Sequence, residues 1–238
     1  LALALLTACP AGKTPSREVR VLAAASLQAP LSALGAAFEA RTPGVKVALS
    51  FGSSTAQERQ VEAGAPCDLY VAASLANVDR LAAASLVDSA SRVIVARNEL
   101  VAIVPEGAAP PADLHALALL PRIAVGARGV PAGEYAREVL QGVVGEERLA
   151  GYPDEPAVVT AVAMGGAPAG ICYASSLVSH PRHAEVARAL ALDTSRDPIL
   201  YPAVLARAAR EPALARALLD FLRSDEGKAA FTKHGFLE

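Results

Sequence analysis

A chain of 238 residues suits one large domain or two small ones. Hydrophobic residues make up 53% and charged residues 19%, which excludes a disordered chain; with no tryptophan and much alanine, the core must be built from Leu, Val and Ala. A formal net charge of -2 without a basic block excludes a nucleic-acid partner, yet leaves room for a small anion, which answers to local amides and hydroxyls rather than to the global field.

The N-terminus is a Leu/Ala run over residues 1–6, followed by Thr7-Ala8-Cys9. It reads as the tail of a secretory signal, too short to span a bilayer. Leu6-Thr7-Ala8-Cys9 resembles a bacterial lipobox, in which the cysteine becomes the first mature residue and carries lipid. The alternative is an ordinary signal with an incidental cysteine. Either reading predicts a periplasmic or extracytoplasmic protein, held at the membrane through Cys9 in the first case. Residues 1–17 are expected to be signal remnant and tether, since Lys13 to Arg17 show no periodicity.

Strand-like and helix-like stretches then alternate, which predicts an α/β fold with mainly parallel strands. Residues 19–24 read as a first strand, and Leu27, Leu31, Leu34 and Phe38 fall on one helical face. Gly44 precedes a second strand over 45–50. Ser54 opens a helix that stops at Glu62-Ala63-Gly64-Ala65-Pro66, a C-terminal glycine with proline just beyond. Residues 68–71 make a short third strand. Two apolar runs, 93–96 and 100–104, flank Arg97-Asn98-Glu99 and mark a crossing into a second lobe. That lobe holds strands at 123–125 and 170–173 and helices starting at Pro131 and Pro156. Residues 201–204 read as the return crossing, and helices over about 212–222 and 225–234 pack back on the first lobe. The lobes are expected to comprise 18–96 plus 204–238 and 97–203, with hinges near 95–99 and 201–203. Two lobes joined by crossings make a clamp with its ligand beyond the strand ends.

Three cysteines, Cys9, Cys67 and Cys172, lie too far apart for a zinc cluster. Cys67 and Cys172 either pair in an oxidising compartment or remain buried free thiols.

Several loops put small residues and hydroxyls where helix N–H groups lack partners. In Ala23-Ala24-Ala25-Ser26-Leu27, Ser26 is a helix cap or a ligand donor, and Pro30 predicts an irregular helix start. In Phe51-Gly52-Ser53-Ser54-Thr55, Ser54 and Gln57 have capping-box spacing, and no Gly-Lys-Ser/Thr follows, so this is not a phosphate-cradling P-loop. Val130-Pro131-Ala132-Gly133 and Glu155-Pro156-Ala157-Val158 each place proline at the first helical position, so that Ala132 and Ala157 either begin ordinary helices or offer free amides to an anion. In Gly170-Ile171-Cys172-Tyr173, Tyr173 ends a buried strand, its hydroxyl bound to a core carbonyl or turned to the cleft. Together these are neutral donors without a cation, a set suited to a small tetrahedral oxyanion.

These segments, with Arg59-Gln60-Val61-Glu62-Ala63-Gly64-Ala65-Pro66-Cys67-Asp68-Leu69 and Glu134-Tyr135-Ala136, resemble the periplasmic molybdate-binding proteins of molybdate ABC importers, in order over about residues 19–236. The resemblance implies a two-lobed type II periplasmic-binding-protein fold, each lobe a mainly parallel sheet flanked by helices, with the ligand in the interlobe cleft. It implies that two serines, two backbone amides and a tyrosine bind molybdate or tungstate: Ser26, Ser54, Ala132, Ala157 and Tyr173. The fourth contact departs from the family, which usually shows an acidic residue and then Asp-Val-Arg where this chain has Glu155-Pro156-Ala157-Val158. The metal is bound as its oxyanion, with no cofactor, and the partners implied are an ABC permease and its ATPase, served by a monomer. Rival readings are a binding protein for sulfate or phosphate, and a serine hydrolase using Ser26 or Ser54. The hydrolase lacks Gly-x-Ser-x-Gly, and His115, His180, His183 and His234 lie outside the matched loops.

Overall fold

The computed structural model describes residues 17–195 and 198–237; Cys9 and its lipobox lie outside them. The first sheet region runs β1 (Arg17–Ala24), α1 (Gln28–Arg41), β2 (Val45–Gly52), α2 (Ser54–Glu62), β3 (Leu69–Val71), α3 (Leu75–Ala83) and β4 (Val93–Asn98). The second runs β5 (Leu100–Pro105), α4 (Leu114–Ala118), β6 (Ile123–Gly126), α5 (Pro131–Leu140), β7 (Leu149–Tyr152), α6 (Glu155–Ala163), β8 (Ala169–Tyr173), α7 (Ser176–Ser179) and β9 (Val186–Leu192). The chain then returns through β10 (Ile199–Leu205), α8 (Pro212–Arg223) and α9 (Asp225–Lys233).

The strands form two five-stranded sheets, ordered β2-β1-β3-β10-β4 and β7-β6-β8-β5-β9. In the first, β1 pairs parallel with β2 and β3, while β10 runs antiparallel to both its neighbours, β3 and β4. In the second, β6 pairs parallel with β7 and β8, while β5 runs antiparallel to β8 and β9. Each sheet is therefore mixed, with four strands pointing one way and a single reversed strand. That reversed strand is the first one after each crossing, β5 or β10. The C-terminal ends of β1, β2, β6 and β8 accordingly feed the helices and turns that surround the cleft.

Sequence and structure part at the crossings. The first lies at Glu99, between Asn98 and Leu100. The second lies between β9 and β10, not at the expected 201–204. Tyr201 and Ala203 sit inside β10, opposite Ala96 and Val93 of β4. Pro202 is accommodated within β10 because its missing N–H falls where the β10–β4 register shifts, a position that tolerates proline. Residues 97–98 and 199–203 thus belong to the first sheet rather than the second. The expected tether also ends one residue early, because Arg17 opens β1, pairs with Val45 and holds Glu211 at 2.7 Å.

The predicted apolar face of α1 is buried through Leu31, Leu34 and Phe38. Gly64, with φ +80°, ends the turn after α2 as its position required. Cys67 and Cys172 are both buried free thiols. They sit in separate apolar clusters, one with Leu22 and Tyr70, the other with Val101 and Val158. Burial pushes the Cys67 thiol up to about 12 and raises Cys172 likewise, so neither is a nucleophile at neutral pH. The rings of Tyr173, Tyr201, Phe236 and Phe231 stack edge to face in series, with centroids 5.9, 5.2 and 5.9 Å apart. This series ties β8 of the second sheet to β10 of the first and to α9.

Candidate functional site

Ser26, Ser54 and Ala73 from the first sheet and Ala132, Glu155 and Tyr173 from the second border one cavity of about 20 Å³. That volume is about the room one small guest needs. One small ion fits; a sugar or an amino acid does not. A larger cleft of about 1090 Å³ opens between α2, α3 and α5. Several of its charges are paired, Glu58 with Arg80 and Glu146 with Arg128 and Arg137. Among the described residues no lysine or arginine borders the small cavity.

Ser26 is not a helix cap. It lies in a 3-10 turn, Ala25–Leu27, and α1 begins behind Leu27 without a side-chain cap. Pro30 is thereby the third residue of α1, where an N–H has no helical partner to lose. The Ser26 Oγ stands 3.1 Å from the Tyr201 Oη, which also accepts from Asn98 Nδ2 at 3.3 Å.

Ser54 does not cap its helix either. Ser53 does, accepting from the Ala56 amide at 3.2 Å, so the expected Ser54–Gln57 box is displaced by one residue. Ser54 is left as the first helical residue, 1% exposed. Its Oγ accepts from the Ala73 amide at 2.9 Å, and Tyr70 Oη donates to its carbonyl at 2.7 Å. With one lone pair occupied by Ala73, the Ser54 hydroxyl keeps its own hydrogen for the cavity.

Ala132 occupies the second position of α5 behind Pro131, as expected, and Val130 supplies no side-chain cap. The amides of Gly133 and Glu134 both return to the Val130 carbonyl. The Ala132 amide has no partner among the described residues and stands at the positive end of the helix. Tyr173 ends β8 against the cavity, and its buried hydroxyl has no hydrogen-bond partner among the described residues. The nearby Tyr201 hydroxyl is engaged with Ser26 and Asn98. Burial, then the neighbouring Tyr201, Tyr135 and Glu155, holds the Tyr173 phenol well above its ordinary value, so it is a neutral donor.

Ala157 is the expected residue that the structure does not bring there. Its amide donates to Asp154 Oδ1 at 2.9 Å, and Ala157 does not border the cavity. The reason is the frame of α6. Asp154 is the cap and Glu155 the first helical residue, which puts Pro156 second. Glu155 takes the place expected of Ala157, and its amide has no partner among the described residues. Sequence reasoning missed Asp154 and Glu155 by matching Pro156 to Pro131. Asp154, a preferred cap residue three positions ahead of Ala157, was the signal for the correct frame.

The Glu155 side chain is buried under β8 and α7. Its Oε1 accepts from the Tyr173 amide at 3.1 Å and from Ser176 Oγ at 2.7 Å, while its Oε2 has no partner among the described residues. Burial lifts this carboxyl to about 7; the bonds from Ser176 and Tyr173 oppose that rise, and Asp154 adds to it. Neither cavity serine has a histidine base: Ser54 is bonded to Ala73, Ser26 to Tyr201, and His180 faces Thr160 at 3.4 Å. Among the described residues no group of three His, Cys, Asp or Glu could hold a bare metal ion.

Known proteins are similar to this one over nearly the whole chain. The molybdate-binding protein ModA of Escherichia coli is 30% identical over 231 residues, covering 92% of this chain and 88% of that protein. ModA of Haemophilus influenzae is 30% identical over 232 residues, covering 93% and 90%. The solved periplasmic molybdate-binding protein of Azotobacter vinelandii superposes with a TM-score of 0.80 at 21% identity, covering 92% of this chain and 99% of its own; it speaks for the two-lobed fold alone. The sequence profile described as "Bacterial extracellular solute-binding protein" matches residues 19–237, and the chain belongs to that family.

Proposed function

We propose that the chain captures molybdate or tungstate outside the cytoplasm and delivers it to an ABC permease driven by an ATPase. The observation that carries this reading is the convergence of uncharged donors, from both sheets, on one ion-sized cavity. Ser26 and Ser54 offer hydroxyls, Ala132 and Glu155 offer helix-end amides, and Tyr173 offers a phenol without another partner. The relatives named for molybdate support the choice of ion. Hydrogen bonds to a charged group contribute about 1.5–3 kcal/mol each, so five of them support binding near micromolar or tighter. The ion is cargo, not a cofactor, and a member of a solute-binding family is a transport component rather than an enzyme. Sulfate, with shorter bonds, leaves donors unpaired in the same cavity.

The lobes close on the ion about Glu99. Across the cleft mouth, the Thr55 hydroxyl already donates to the Gly129 carbonyl. The protein works as a monomer and is tethered through lipid on Cys9, which radiolabelled palmitate incorporation, lost in Cys9→Ala, checks. No described helix is long and apolar enough to cross a membrane. Titration calorimetry with molybdate, tungstate and sulfate tests the function: molybdate and tungstate bind well ahead of sulfate, and tighter sulfate binding overturns the assignment.

A further inference from the structure

The cavity presents a conflict. A dianion is to bind where no lysine or arginine stands and where two carboxyls, Asp154 and Glu155, form part of the wall. Asp154 has a structural task as an anionic cap, its Oδ1 taken by the Ala157 amide. Glu155 has no such resolution. Its Oε1 already receives two hydrogens, from the Tyr173 amide and Ser176 Oγ, which leaves Oε2 as the oxygen free to carry a proton. Oε2 is buried and unpartnered, and so is the Tyr173 hydroxyl of the same cavity. An ionised Glu155 would leave a buried charged oxygen without a partner in the cavity wall. A protonated one has a hydrogen to give and lacks only an acceptor.

We propose that Glu155 is a further ligand of the site: its carboxyl carries a proton on Oε2 and donates that hydrogen to the bound oxyanion, so that the site takes up one dianion and one solvent proton together. The inference rests on the oxyanion reading given above. It also defines selectivity, since an anion that accepts at every oxygen satisfies Glu155, whereas one bearing its own hydrogen would set two donors against each other.

The surroundings support a neutral carboxyl. The titratable groups facing Glu155 are Asp154 on its own turn, Cys172 and Tyr173 on β8, and Tyr201 on β10. Tyr152 ends β7, and His180, beyond α7, faces the Pro156 carbonyl, its own pKa lowered chiefly by burial. Strands β5 and β6 and the 3-10 turn at Ser26 put no titratable side chain against α6. Strand β9 also packs on α6, but its one charged residue, Arg188, pairs with Glu99 at 3.6 Å, and Asp154 disfavours a second charge on Glu155.

The free carboxyl titrates near 7, and a dianion beside it raises that value further. Affinity is therefore complete below the free value and falls as pH rises through it, by about tenfold in Kd per pH unit while the bound form keeps its proton. Calorimetric titration of molybdate into the wild-type chain from pH 6 to 9, in two buffers of different ionisation enthalpy, counts the protons. The expected result at pH 8 is uptake of close to one proton per ion, with a Kd that is flat near pH 6 and climbs above 7. Glu155→Gln, which carries hydrogen permanently on the equivalent atom, takes up no proton, and its Kd does not change with pH. Tight wild-type binding with no proton uptake and a flat Kd overturns this inference alone. Uptake that persists in Glu155→Gln places the proton elsewhere and also overturns it. Absence of molybdate binding throughout the range overturns the transport reading and this inference with it.

Discussion

Replacing Tyr173 by Phe separates binding from folding, because its two effects have opposite signs. In the ligand-free protein the Tyr173 hydroxyl is buried without a partner. Removing it deletes an unsatisfied polar atom and keeps the ring, with its edge-to-face contact to Tyr201 at 5.9 Å. Leaving a buried hydroxyl unpaired costs about 1–3 kcal/mol, so Tyr173→Phe should be at least as stable as the wild type and up to ~1 kcal/mol more so once relaxation around the missing oxygen is allowed for. With ligand the balance reverses. A hydrogen bond to a charged group contributes about 1.5–3 kcal/mol, which corresponds to a Kd roughly 10- to 150-fold weaker. Urea unfolding of the free protein and calorimetric titration with molybdate read the two quantities independently. A variant that is destabilised by more than ~1 kcal/mol and binds molybdate with unchanged Kd would refute the reasoning, since the hydroxyl would then have a structural partner and no ligand.

Ser54→Ala removes the acceptor of the buried Ala73 amide as well as a cavity hydroxyl, so both stability and affinity fall, stability by about 1–3 kcal/mol in urea unfolding. Asp154→Asn keeps a cap for the Ala157 amide and removes a negative charge from the cavity wall; unfolding stability changes by less than ~0.5 kcal/mol, while calorimetry shows tighter molybdate binding. Glu155 has a folded pKa of about 7 against 4.5 ordinarily. The folded state therefore holds its proton longer than the unfolded chain, and ligand-free stability drops between about pH 4.5 and 7, by up to ~3 kcal/mol. Denaturation across that range shows this loss in the wild type and its absence in Glu155→Gln.

Legibility in the sequence followed locality. The strands and helices with a clear apolar period, such as β1, α1 and α8, were readable because each buries one face of its own pattern. Helix α3 was not anticipated, although Ser74 caps it and Leu75, Val78 and Leu81 repeat at helical spacing. The second crossing was misplaced because Pro202 breaks no ladder where β10 shifts register against β4, a property of the partner strand that no local reading contains. Ser26, Ser54, Ala132 and Tyr173 were legible as helix-end and strand-end donors, and they do meet at one cavity. The fourth contact was lost to a helix frame set by the Asp154 side chain. The role of the Glu155 carboxyl was out of reach, because it depends on α7 and β8 occupying only one of its two oxygens.

A crystal structure of the chain grown with molybdate, with anomalous differences measured on either side of the molybdenum absorption edge, tests the central claim most directly. The account predicts one strong peak enclosed by Ser26, Ser54, Ala132 and Tyr173, with its oxygens within hydrogen-bond reach of those donors and of Glu155. A peak among the paired charges of Glu58, Arg80, Arg128 and Arg137, or no peak at an occupied concentration of molybdate, would contradict it.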